Sequence, residues 1–136
     1  MPDTMNASRK ADREAIAASF KAIADKFGAE VLRRDEGPNL GYHGASIYLH
    51  FNLHGVGAQV SIDNLHGGEG GLISWFNTDY PARNFTSGFN AAVGDQGKAR
   101  PHHKATSSGY WNLLAARLQA GLRHAANKTA FIEGSK

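Results

Sequence analysis

Between Ala45 and Asp63 the chain alternates apolar and polar residues with a single interruption. Ala45, Ile47, Leu49, Phe51 and Leu53 interleave with Ser46, Tyr48, His50, Asn52 and His54. After Gly55, the residues Val56, Ala58, Val60 and Ile62 interleave with Gly57, Gln59, Ser61 and Asp63. Successive side chains of a strand point to opposite faces, so a period of two describes a strand with one buried and one wet face. Two such runs around His54-Gly55 predict a hairpin with a two-residue turn, the loop length that hairpins favour. The turn sets the register. Leu53 then faces Val56, Phe51 faces Ala58, Leu49 faces Val60 and Ile47 faces Ile62. On the other side His50 faces Gln59, Tyr48 faces Ser61 and Ser46 faces Asp63, with Gly57 beside Asn52. A slip of one residue would turn the apolar set outward, so the register is strongly specified.

The rest of the chain must cover that apolar face. Residues 7–27 read as an amphipathic helix, because Ile16, Phe20, Ile23 and Phe27 recur at spacings of four, three and four. Gly28 follows where a left-handed residue ends a helix. Ala29 to Arg34 reads as a short strand, and Asp35 to Gly44 as a loop punctuated by Gly-Pro and by Gly-Tyr-His-Gly. Asn64 to Gly71 is a glycine-rich loop. Leu72 to Thr78 reads as a strand, with Ile73 and Trp75 facing opposite to Leu72 and Phe76. From Asp79 to Thr106 no clean period appears. A structureless loop that long is unusual in a compact domain, and Phe85, Phe89 and Val93 point to a packed short helix or strand within it. Ser107 or Ser108 starts a second long helix, whose stripe is Trp111, Leu114, Leu118 and Leu122 with Ala115 and Ala125 alongside. Gly121 in that helix suits a close approach. Phe131 and Ile132 are expected to tuck the tail onto the core.

The expected fold is therefore α+β: an antiparallel sheet of three to four strands, with an N-terminal and a C-terminal helix packed on one face. At 136 residues this is one domain, with 1–6 and 133–136 expected to fray. An edge strand with few charges, such as part of the hairpin, could pair with a second copy.

Composition bounds the chemistry. With no cysteine, disulfides and thiolate zinc sites are excluded. The lack of cysteine, of an apolar leader in Met1–Lys10 and of any membrane-length apolar run fits a cytoplasmic protein. The net charge of +3 is unevenly placed. Residues 35–79 hold five acidic residues and no Lys or Arg, whereas residues 80–128 hold seven basic residues and one acidic. Segregation of this kind bears on partners, not on fold.

Several constellations invite a chemical reading. His50 and His54 share the i, i+4 spacing of a zinc-protease pair, but that motif needs a helix and a Glu after the first His. On a strand, residues four apart stand roughly 13 Å apart, too far to chelate one ion. His50, Ser61 and Asp63 suggest a triad, yet nothing marks Ser61 as a strained nucleophile. His66 to Gly71 lacks the Lys-Ser/Thr and the following helix of a phosphate-binding loop. No metal or cofactor is expected.

Two surfaces remain. Tyr48, His50, Asn52, Gln59 and Ser61 form the hairpin's polar face, without Lys or Arg, and uncharged polar and aromatic groups suit protein interfaces. Arg83, Lys98, Arg100, His102, His103 and Lys104 form a basic cluster near Phe85, Phe89, Tyr110 and Trp111, which could grip phosphates and stack bases. The helix–strands–helix order is similar to that of double-stranded-RNA-binding domains, but this chain is longer and lacks their compact basic helix start, so no residues carry over.

The leading expectation is a non-enzymatic binding or regulatory module that contacts a macromolecule, a protein rather than a nucleic acid. Small chains without a catalytic motif are often regulators or inhibitors, including those of phages and mobile elements, which is association rather than physics. The alternatives are a nucleic-acid binder using residues 83–128 and a small enzyme with His50, His102 or His103 as general base.

Overall fold

The computed structural model describes residues 10–36, 46–62, 71–78, 84–94, 98–99 and 108–132. In chain order the elements are α1 (Lys10–Phe27), β1 (Glu30–Glu36), β2 (Ser46–Leu53), β3 (Val56–Ile62), β4 (Gly71–Asn77), α2 (Ser87–Ala92), β5 (Lys98–Ala99) and α3 (Ser108–Ala126). The strands pair in sequence order, β1-β2-β3-β4-β5, and every pairing is antiparallel. It is an α+β fold in which a four-strand meander carries a two-residue fifth strand at one edge.

The hairpin takes the register that its alternation dictates. Leu53 pairs with Val56, Phe51 with Ala58, Leu49 with Val60, Ile47 with Ile62, His50 with Gln59 and Tyr48 with Ser61. His54 and Gly55 both have positive φ, 50° and 86°. That is the type I′ geometry whose twist matches the flanking strands. Asp63 lies outside the described residues.

The hairpin is not an edge, contrary to the expectation from its low charge. β1 covers β2 and β4 covers β3, so among the described residues the long unpaired edge belongs to β1. β1 also runs two residues further than its apolar content suggests, because Asp35 and Glu36 stay in register with Ile47 and Ser46. Charged residues suit an edge strand, where each can reach water.

Both long helices lie on one face of the sheet. Ile16, Phe20 and Ala24 of α1 and Trp111, Leu114, Leu118 and Leu122 of α3 are buried with Leu49, Phe51, Val60, Ile62 and Ile73 in one core. The two helices meet where the Phe20 and Trp111 rings sit edge to face at 6.5 Å. Trp75 needs the most room. In its row the sheet places Ala58 beside it, and on α3 a Cβ added to Gly121 would lie 2.1 Å from the indole. One small residue on the strand and one on the helix together make space for one large ring.

Each long helix ends in a Schellman motif. Ala29 N–H donates to Ala24 O at 3.0 Å and Gly28 N–H to Asp25 O at 3.2 Å. At the end of α3, Thr129 N–H donates to His124 O at 2.8 Å and Lys128 N–H to Ala125 O at 3.1 Å. The left-handed residue is Gly28 in the first and Lys128, at φ 59°, in the second.

The stretch after β4 contains the expected packed element. Thr86 caps α2 by accepting from Phe89 N–H at 3.1 Å. Thr86 N–H donates to Ala130 O at 2.8 Å, and Ile132 N–H to Asn84 O at 2.9 Å, so Phe85 and Phe131 form an antiparallel bridge. Phe131, Phe85, Phe89 and Trp75 then run as an aromatic ladder, with centroid spacings of 5.1, 4.4 and 5.2 Å. Phe131 thus packs as expected, but Ile132 does not: its backbone is tied while its side chain is exposed.

Candidate functional site

The pairings fix which residues share the sheet's outer face, the one away from the long helices. Three rows of register positions cross it. Leu32, His50, Gln59, Ser74 and Lys98 occupy one row; Glu30, Asn52, Gly57 and Phe76 the second; Arg34, Tyr48, Ser61 and Leu72 the third. Tyr48, His50, Asn52 and Gln59 are half-buried there, as expected for the polar side of a half-covered hairpin. Ser61 is a correction: at 8% exposure it is buried and offers no contact surface. Its strand is central, and its row neighbour Tyr48 is itself capped by Arg34, whose guanidinium carbon stands 4.6 Å above the ring.

Alternation within β2 and β3 could not reveal two apolar members of this face, because they come from the flanking strands. Leu32 is 62% exposed and Phe76 is 43% exposed. They flank a shallow groove of about 180 Å³, lined also by Glu30, His50, Asn52 and Thr78. Gly57 forms part of its floor, and a Cβ there would meet the Thr78 methyl at 2.6 Å. Thr78 is anchored over the glycine by its N–H, which donates to Gly55 O at 2.8 Å, and by its hydroxyl, which accepts from Asn52 Nδ2 at 2.9 Å. The glycine at position 57 therefore lets a loop residue close one end of the groove. The signal available in the sequence was Phe76, whose place on β4 opposes that of the buried Trp75.

On the helix side of β1, an ion cluster borders the core. Arg33 donates to both carboxylate oxygens of Glu14 on α1, at 2.9 and 2.7 Å, and to both oxygens of Asp35, at 2.7 and 2.9 Å. Hydrogen bonds from Arg33 hold the Asp35 carboxyl below its ordinary range, and the two carboxylates raise the Arg33 guanidinium further. The cluster ties α1 to the edge strand and neutralises Arg33 in place.

The basic cluster is only partly within view. Arg83, Arg100, His102, His103 and Lys104 lie outside the described residues, and Lys98 is described only as a register position opposite Ser74. Its expected aromatic companions are committed elsewhere. Phe89, Tyr110 and Trp111 are buried, and Phe85 is stacked between Phe89 and Phe131. Of the basic residues on α3, Arg117 lies against Gly94 at the end of α2, while Arg123 is exposed on the last turns. α3 and the hairpin's polar side face opposite ways across the sheet. His50 lies mid-strand and His54 in the turn, the extended arrangement that separates the two rings.

Among the described residues no group of three or more His, Asp or Glu is placed to hold a metal ion, and no helix is long and apolar enough to cross a membrane. Comparison with protein-family models, with characterised proteins and with solved structures finds no match to this chain.

Proposed function

We propose that the chain is a non-enzymatic binding module that contacts a protein partner through the outer face of its sheet. One observation supports this reading: Leu32 and Phe76 stand exposed beside a groove that the polar side chains of Glu30, His50, Asn52 and Thr78 also line. Apolar and aromatic anchors surrounded by polar groups describe a protein interface, where a few buried contacts carry the affinity and a polar rim excludes water. The chain's two long helices are spent on the other face, so the described elements leave this one to a partner. The nucleic-acid alternative draws its support from charge alone, since the aromatic rings nearest the basic segment are engaged in packing.

The reading is tested by comparing what co-purifies with three tagged forms of the protein. The Leu32→Ser/Phe76→Ser form should lose a partner that the wild type and an Arg123→Glu/Lys128→Glu form both retain. Retention should change little between low and high salt. Loss with the α3 form instead, together with 260 nm absorbance that disappears in high salt, would favour nucleic acid, because phosphate neutralisation releases counterions.

A further inference from the structure

Among the described residues β1 is the long unpaired edge of the sheet, and its residues are Glu30, Val31, Leu32, Arg33, Arg34, Asp35 and Glu36. A free edge is a template for another strand, and charged residues are the usual guard against indiscriminate pairing. Here the order of the charges does more than repel. Two copies of β1 placed antiparallel about a two-fold axis at Leu32 bring Glu30 opposite Arg34 twice, on the outer face. Leu32 then meets its own copy between the two ion pairs, and Val31 lies opposite the stem of Arg33 on the other face. Moving the axis one residue, to Arg33, instead places Arg33 against Arg33 and Glu30 against Glu36. Like charges directly opposite are destabilising and opposite charges stabilising, so the charge pattern favours the Leu32-centred register over the Arg33-centred one.

The backbone agrees with that register. A two-residue turn closes on a hydrogen-bonded pair, here Leu53 with Val56, and hydrogen-bonded pairs alternate with non-bonded ones along an antiparallel ladder. Asn52, His50 and Tyr48 therefore direct their N–H and C=O groups toward β1, at Glu30, Leu32 and Arg34. Val31, Arg33 and Asp35 direct theirs outward. In the Leu32-centred register Val31 is opposite Arg33, so two outward-facing residues meet and can exchange hydrogen bonds. Leu32 falls at a non-bonded position, where side chains approach most closely. Arg33 reaches the seam already neutralised by Glu14 and Asp35.

We infer that β1 is the seam of a symmetric homodimer, in which two sheets join edge to edge about Leu32. The seam accounts for the exposure of Leu32, which alternation on an edge strand does not require. Among the described residues the opposite edge carries the two-residue β5, and a two-fold pairing of β1 with β1 uses the same edge of both copies and closes at two. Leu32 also lines the outer groove, so in the dimer the partner's Leu32 extends that apolar wall across the seam. The inference shares the exposure of Leu32 with the protein-partner reading but rests on the charge order and backbone pattern of β1, and the charge reversals at Glu30 and Arg34 test it while leaving Leu32 and Phe76 in place.

Sedimentation of the full chain over a micromolar-to-millimolar series should show a shift from 14.6 kDa toward twice that mass. Glu30→Arg and Arg34→Glu should each raise the dimer dissociation constant at least tenfold, because each creates like-charge pairs, while keeping the far-ultraviolet circular dichroism of the wild type. Mixed one to one, the two variants should dimerise again. The first carries arginine at both positions 30 and 34 and the second carries glutamate at both, so every charge in the mixed seam meets its opposite. The chain has no native cysteine, so Leu32→Cys supplies a second readout. It should oxidise to a covalent dimer, because a non-bonded antiparallel pair has a Cα separation suited to a disulfide. Arg34→Cys, whose two copies would stand roughly 13 Å apart, should not. A wild type that stays monomeric throughout, a dimer indifferent to both charge reversals, or a mixture of the two variants that fails to associate overturns the seam.

Discussion

The two faces of the sheet are built from the same strands by different rules. On the inner face the Trp75 ring fills the space that glycine leaves at position 121, with alanine beside it at position 58. On the outer face the residues share rows without interlocking, and Leu32 and Phe76 remain open to solvent. Trp75 and Phe76 are chain neighbours, so strand propensity and sequence context hardly differ between them. What differs is whether helices cover the side on which each ring stands. The inner face is specified by volume and the outer face by what it leaves unfilled, which is why stability and recognition separate onto opposite sides of one layer.

The largest expected effect is the contrast between those neighbours. Trp75→Ala should cost about 4 kcal/mol in denaturant unfolding, the usual loss for a buried tryptophan whose cavity closes only in part. Phe76→Ala should cost about 1 kcal/mol or less, since the ring is already partly solvated. Equal losses would mean that the outer face is packed like the inner one.

A second contrast is between glycines. Gly121→Ala should destabilise by about 2 kcal/mol despite the better helix propensity of alanine, because its Cβ displaces the Trp75 ring within a filled core. Gly57→Ala should cost about 1 kcal/mol, since the methyl it meets belongs to Thr78 on the surface and can turn away. Near-ultraviolet circular dichroism should register the first change strongly and the second weakly.

The smallest effect falls at the border between the faces. Asp35 has a folded pKa lowered by Arg33, so its contribution is complete above the ordinary carboxylate range and fades as pH drops through the lowered value. Asp35→Asn should therefore cost under about 1 kcal/mol near neutral pH, as expected of an exposed ion pair. Wild type and variant should converge in acid. A stability gap that persists well below the carboxylate range would mean that packing, not charge, is what the substitution disturbs.

How much of this was legible varied with the range of the interaction. The hairpin register, the length of its turn and the buried stripes of the helices could be read directly, since each depends on residues a few positions apart. Gly28 announced its helix end because glycine tolerates the left-handed conformation, whereas Lys128 performs the same task without any compositional signal. The short helix α2 left only three apolar residues as clues, and its cap on Thr86 depends on a tail more than forty positions away. Of the expected contact residues on the hairpin, Tyr48, His50, Asn52, Gln59 and Ser61 all fell on the face that alternation assigned them, but Ser61 is covered there. Alternation identifies a face, and only the neighbouring strands decide whether a position on it is covered.

The sequence alone therefore determined the two long helices, the four long strands, the pairing within the hairpin and the side of it that must be buried. These follow from backbone periodicity, which is set by steric limits on each residue and its near neighbours. The order of the strands, the exposure of Leu32 and Phe76, the place reserved for Trp75 and the assignment of the free edge to β1 were decided only in the folded molecule. Each is a contact between segments distant in the chain, and which distant segments meet depends on how all the apolar faces can be covered at once.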